Sequence, residues 1–100
     1  MKTIDVSGLY LEVEGHNLHG FTDDEILDSV ELATEGREFT GRRGNIEQYL
    51  LVRLGLEIFG VGFKIRGDTL FVRTVLTPKM VDLNEKGGRN LPTVRPFKVV

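Results

Sequence analysis

The sequence predicts an α+β domain: a curved antiparallel sheet of four or five strands, one main helix at about 22–35 packed on one face, and a short C-terminal helix. Three observations lead there. A capping box followed by an apolar stripe marks a helix from Thr22. Two runs with period-2 apolar patterning, 57–66 and 69–77, flank a glycine turn. Within the first run Gly60 and Gly62 share a face, the sign of a bulge, of strong curvature or of a neighbour pressed against the backbone.

The chain has 100 residues, which suits one hydrophobic core and a single domain, 1–100. Apolar residues make up 40% and charged residues 28%, too balanced for wholesale disorder. Cysteine is absent, so disulfides, thiolate metal sites and a cysteine nucleophile are excluded. Met1-Lys2-Thr3-Ile4-Asp5 lacks the apolar run of a signal peptide, and Arg53 and Glu57 interrupt the longest apolar stretches. A cytoplasmic location and no membrane partner are the expectations.

In chain order, Ile4 and Val6, a Ser7-Gly8 turn, and then Leu9, Leu11 and Val13 alternate with polar neighbours, as a strand or hairpin does. Gly15 to Gly20 reads as a loop holding both histidines. At Thr22 the hydroxyl is placed to accept from the third backbone N–H, while the Glu25 carboxylate reaches back to the cap N–H. Phe21 is positioned to staple onto Ile26. Asp23, Asp24 and Glu25 suit the positive end of the helix dipole, Ile26, Leu27, Val30 and Ala33 form the stripe, and Gly36 is the expected C-terminal cap.

Residues 36–45 then read as a basic, glycine-bearing connection. The segment 46–54 fits either a helix begun at Asn45 or a buried strand ending at Gly55; the clear strands after it, in need of a partner, favour strand. Gly67-Asp68 is a two-residue hairpin loop. In the strand after it, strict alternation sets Leu70, Val72, Thr74 and Leu76 opposite Phe71, Arg73 and Val75. Thr77 caps the short helix with Pro78 at its first position. The tail at about 89–100, with Pro92 and Pro96, is expected to be frayed or an edge strand.

Charge is segregated along the chain. Residues 1–35 hold nine carboxylates against Lys2 alone, whereas residues 36–100 hold twelve bases and six acids. Such asymmetry either marks a polyanion or charged-partner surface or is cancelled inside the fold, acidic helix against basic strands. The basic constellation comprises Arg37, Arg42 and Arg43 in the connection, then Lys64, Arg66 and Arg73 on the hairpin, with Phe71 beside Lys64. Guanidinium forks next to an aromatic ring suit phosphate binding and base stacking, and equally suit a solvated sheet face. His16 and His19 are the only histidines, so they are the candidates for acid–base work near neutral pH, with Arg73 as the cation for a developing phosphorane. Two histidines are too few for a zinc site by themselves, and no nucleotide-binding glycine motif is present, so no metal and no cofactor are expected.

From His19 to about residue 80 the order of elements resembles the small RelE/BrnT-type ribonuclease toxin domains. His19-Gly20-Phe21-Thr22-Asp23-Asp24-Glu25-Ile26 is similar to that family's lead-in to its helix. The segments Glu47 to Val52, Phe59 to Phe63 and Gly67 to Thr74 resemble its three antiparallel strands. The family's last strand usually ends in Ser-Ala-Arg, where this chain has Thr74-Val75-Leu76, and its members are commonly basic whereas this chain has a pI near 5.7. The resemblance implies an RNA-directed domain, through RNA binding or metal-independent RNA cleavage, paired with an antitoxin-like partner. The alternative from the residues alone is a non-enzymatic interaction or inhibitor protein of phage or mobile-element type, using its acidic N-terminal third against an inhibited target. A homodimer built on an exposed strand edge is a third reading, and whether the chain is an enzyme is left open.

Overall fold

The computed structural model describes residues 2–15, 17–41, 43–86 and 94–100. Its elements are β1 (Lys2–Ile4), β2 (Tyr10–Val13), α1 (Asp23–Leu32), β3 (Glu35–Thr40), β4 (Ile46–Leu54), β5 (Glu57–Arg66), β6 (Thr69–Leu76), α2 (Pro78–Glu85) and β7 (Arg95–Val99). The α+β class stands, but the sheet has seven strands in the order β1-β7-β3-β4-β5-β6-β2. It is also mixed: β1 runs parallel to β7 and β2 parallel to β6, while the other neighbours are antiparallel.

The expected antiparallel sheet of four or five strands fell short for identifiable reasons. The stretch read as a connection over 36–45 contains β3, because Gly36 is buried in the sheet between Leu50 and Phe97. Gly36 therefore ends no helix; α1 closes at Ala33, whose extended backbone turns the chain into β3, and so stops short of residue 35. The C-terminal tail supplies β7, which lies inside the sheet between β1 and β3 and is not an edge. Pro96 is tolerated there because β1 begins at Lys2 opposite Phe97, leaving Pro96 beside β3 alone among the described residues. The N-terminal strands form no hairpin with each other. They are the two outermost strands of the sheet, joined by residues 5–9.

That connection forces curvature. Seven strands laid flat would hold β1 and β2 about 29 Å apart at ~4.8 Å per gap. The six residue steps from Ile4 to Tyr10 reach at most about 22 Å. The sheet must curl, and its inner face becomes the core: Leu50, Val52 and Leu54, then Phe59, Val61 and Phe63, then Leu70, Val72 and Val75, and Phe97 and Val99. Ile26 and Val30 of α1 fill the curl, packed on β4 and β2. The outer face carries α2, packed on β5 and β6.

The strand reading of 46–54 is upheld, and the hairpins β4–β5 and β5–β6 each close through two residues, Gly55-Leu56 and Gly67-Asp68. Each loop opens on a glycine with positive φ, +66° at Gly55 and +61° at Gly67, a backbone that an L side chain resists. The glycine pair in β5 is explained twice over. A side chain at Gly60 would meet the Tyr49 ring at 2.9 Å, and one at Gly62 would meet the Thr74 methyl at 2.6 Å. A register shift also falls at Gly62/Phe63, where Phe63 pairs with Val72 and Gly62 with Thr74. Arg73 is the extra residue of this bulge, so the alternation of β6 changes phase: Val75 turns inward with Val72, and Thr74 and Leu76 turn to the outer face.

Both N-terminal helix caps form as read. Thr22 Oγ1 accepts from the Glu25 N–H at 3.1 Å and Glu25 Oε1 accepts from the Thr22 N–H at 3.0 Å; Thr77 accepts from the Met80 N–H. Phe21 packs edge-on against Phe59 with ring centroids 5.2 Å apart, fixing the approach to α1.

Thr22→Ala is expected to cost about 0.5–2 kcal/mol, read as a lower denaturant midpoint with an unchanged slope. Gly36→Ala should cost more, about 1–3 kcal/mol, because its methyl would lie 2.5 Å from the Tyr49 carbonyl oxygen and against the Phe97 ring. A Gly36→Ala variant as stable as the parent would contradict this packing.

Candidate functional site

The basic constellation is dispersed, and four of its cations, Arg37, Lys64, Arg66 and Arg73, are engaged. Arg37 lies on β3, not in a loop, and its side chain is only 17% exposed. Its Nε donates to Glu85 Oε1 at 2.6 Å and an Nη to the Gly36 carbonyl at 2.9 Å, with Glu35 at 3.6 Å. Arg37 thus ties β3 to the end of α2. Lys64 donates to the Ile46 carbonyl at 3.0 Å and stands 3.6 Å from Glu47. Arg66 lies over the Phe71 ring, 4.3 Å from its centroid, and pairs with Glu14; the other Glu14 oxygen is 3.9 Å from Arg73. Lys64 and Phe71 are cross-strand partners, as expected from the hairpin. Arg43 is exposed in the turn between β3 and β4, while Arg42 lies outside the described residues.

The histidine pair is not assembled by anything described. His16 lies outside the described residues, and His19 is exposed in the turn before α1 with a positive φ of 51°. The described partner of Arg73 is Glu14, not an imidazole. No group of three or more metal-ligating side chains is found among the described residues, and no described helix is long and apolar enough to cross a membrane.

The counter-ions are the residues that sequence reasoning missed. Cancellation of charge was expected between the acidic helix and the basic strands. The strands instead draw on Glu14, Glu35, Glu38, Glu47 and Glu85. Glu38 shows this best: it is 13% exposed, accepts from Lys2 and from Gln48, and these bonds hold its carboxyl below the usual carboxylate value. No carboxylate of α1 takes part in an ion pair among the described residues.

The outer side of α1 is therefore a stripe of one sign. Ile26, Ser29 and Val30 face the core, and the Ser29 hydroxyl is satisfied by the Ile26 carbonyl at 2.7 Å. Asp24, Asp28 and Glu31 follow at i, i+4 and i+7, all exposed, with Leu32 beyond them 81% exposed. Like charges at this spacing repel, by about 0.2–0.5 kcal/mol per pair. The last turn holds no base to answer the negative end of the helix dipole. Below the stripe runs a cleft of about 580 Å³, lined among others by Val6, Leu9, Tyr10, Leu11, Leu27 and Val100, with Glu31 at its rim. It lies where the two ends of the curled sheet approach each other beneath α1.

On the opposite face Tyr49 is buried between β5 and α2, with Phe39 edge-on at 6.3 Å. Burial pushes its hydroxyl above the usual tyrosine value and the Glu85 carboxylate adds to this, while the nearby Asn84 amide and Arg37 offset only part. The Asn84 contact falls short of hydrogen-bond geometry.

No family model matches this chain, and neither a curated protein nor a solved structure matches it. The likeness to RelE/BrnT-type domains rests on the residue patterns quoted above.

A raised folded-state value for Tyr49 means that the unfolded chain ionises first, so its contribution is complete below pH 10 and is lost as pH rises beyond it. Wild type should lose stability in that alkaline range faster than Tyr49→Phe, and the two should be nearly equal at neutral pH. Parallel stability curves would show that burial of the hydroxyl is not felt.

Proposed function

We propose that this chain is a non-enzymatic interaction or inhibitor protein that engages its partner through the acidic surface of its N-terminal third. The observation that carries this reading is the asymmetry of neutralisation. Arg37, Lys64, Arg66 and Arg73 each have a carboxylate within ion-pair distance, whereas the α1 stripe has no described cation. Unpaired charge of one sign on a helix disfavours the fold slightly and favours docking to the opposite sign, mainly by steering encounter and rejecting like-charged partners.

The RNA-directed reading is the competing proposal. It would use Arg43, Lys64, Arg66 and Phe71, where the cation lying over an aromatic ring is suited to stacking. Binding there would compete with Glu14 and Glu47 for the same cations.

One pair of measurements separates the two. The full chain is mixed with cell extract, and zero-length carboxyl–amine crosslinks are mapped; in parallel, its affinity for single-stranded RNA is titrated against salt. The interaction reading expects crosslinks concentrated at Asp24, Asp28 and Glu31, lost in the Asp24→Asn, Asp28→Asn, Glu31→Gln triple variant, with no RNA binding even at low ionic strength. RNA binding that weakens by about 0.7 log units per contact per log unit of salt, and that Lys64→Ala with Arg66→Ala abolishes, would overturn it.

A further inference from the structure

The cleft beneath α1 combines three features that a charged surface alone does not have. The first is a free strand edge. β2 pairs with β6 on one side and with nothing on the other among the described residues. The Tyr10 and Glu14 N–H groups donate to the Asp68 and Val72 carbonyls of the β6 side, at 2.9 Å each. Along a strand, consecutive residues point their backbone groups to opposite sides, so the N–H and C=O of Leu11 and Val13 face outward. The second is an apolar trough next to that edge, formed by Leu9, Leu11, Leu27 and Val100. At about 580 Å³ it has room for side chains of an added strand. The third is the sign of the helix beside it: Glu31 lines the cleft, and Asp24 and Asp28 precede it along α1, all exposed. The base nearest to the stripe in sequence, Arg37, is held by Glu85 at 2.6 Å.

We infer that β2 accepts an extended basic peptide segment as an eighth strand, alternate apolar side chains entering the trough and lysines or arginines meeting the α1 stripe. This rests on the interaction reading above and names its partner chemistry. Main-chain hydrogen bonds to Leu11 and Val13 would supply affinity, and the trough and the acidic rim would select apolar–basic alternation. An acidic segment would be repelled by the rim. A helix would leave the outward N–H and C=O groups of Leu11 and Val13 unanswered.

The test uses the isotope-labelled full chain and synthetic peptides, followed by amide-resolved NMR at low ionic strength. The probe is Lys-Val-Lys-Val-Arg-Val-Lys, with a version carrying glutamate at every base and two versions N-methylated on alternate residues. The basic peptide should shift the amides of Leu11, Val13, Leu27 and Val100 and slow hydrogen exchange at Leu11 and Val13; the glutamate version should not bind. Only one of the two methylated peptides should lose binding, since an added strand presents one set of N–H groups to β2 and the other away from it. The Asp24→Asn, Asp28→Asn, Glu31→Gln triple variant should weaken binding by about tenfold, and removing exposed, mutually repelling charges leaves its fold intact. Equal binding of both methylated peptides, with shifts confined to α1, would overturn strand addition and leave the acidic-surface reading in place. If no basic peptide binds, strand addition falls alone where the α1 crosslinks persist, and both fall where those crosslinks are absent too.

Discussion

The five residues between Ile4 and Tyr10 are the constraint on which this fold turns. They join the two outermost strands of a seven-stranded sheet, and they are too short to do so unless the sheet curls. Curling turns one face into a trough deep enough to take α1, so Ile26 and Val30 meet the inward residues of β4, β5 and β6 in one core. The same constraint leaves a seam. The ends of the sheet come near each other without pairing, and the cleft lined by Val6, Leu11, Leu27 and Val100 is what remains open there. Fold and candidate docking site thus have a common origin.

A second organising feature is the way charge is spent. Several basic side chains of the strands are matched by carboxylates that lie far away in sequence: Arg66 with Glu14, Arg37 with Glu85, Lys2 with Glu38. Each of these contacts has at least one exposed partner, and surface ion pairs contribute little to stability, about 0–1 kcal/mol each. Their consequence is for function. They quench part of the positive charge that the composition of residues 36–100 advertises, whereas the carboxylates of the α1 stripe enter no ion pair among the described residues.

The bulge at Arg73 links the two faces. By changing the phase of β6 it sends Val75 into the core, brings Thr74 and Leu76 against Gly62 and Gly60, and points Arg73 toward Glu14 at the end of β2. Gly15 sits against the Arg73 carbonyl, and both Glu14 and Gly15 donate to the Val72 carbonyl, so the pairing of β2 with β6 ends at the bulge. Side-chain direction on both sides of the sheet is therefore set by one inserted residue.

The sequence by itself determined what depends on neighbours a few residues apart. Thr22 with Glu25, Thr77 with Pro78, the Gly67-Asp68 loop and the alternation in 57–66 are local bargains between side chain and backbone, and each forms as its pattern dictates. The glycines at 60 and 62 foretold a close approach, though not by which side chain. Only the tertiary structure decided the rest. Gly36 looked like a helix cap because nothing nearby in sequence reveals that the Phe97 ring covers it. Pro96 looked like an edge because the end of β1 that leaves it room is 94 positions away. Arginines 37, 66 and 73 looked like a ligand surface because their carboxylates arrive from other strands and from α2, through pairings with no periodic signature. Long-range strand order is fixed by the burial of whole faces and by the reach of a single connection, quantities that no short window of residues contains.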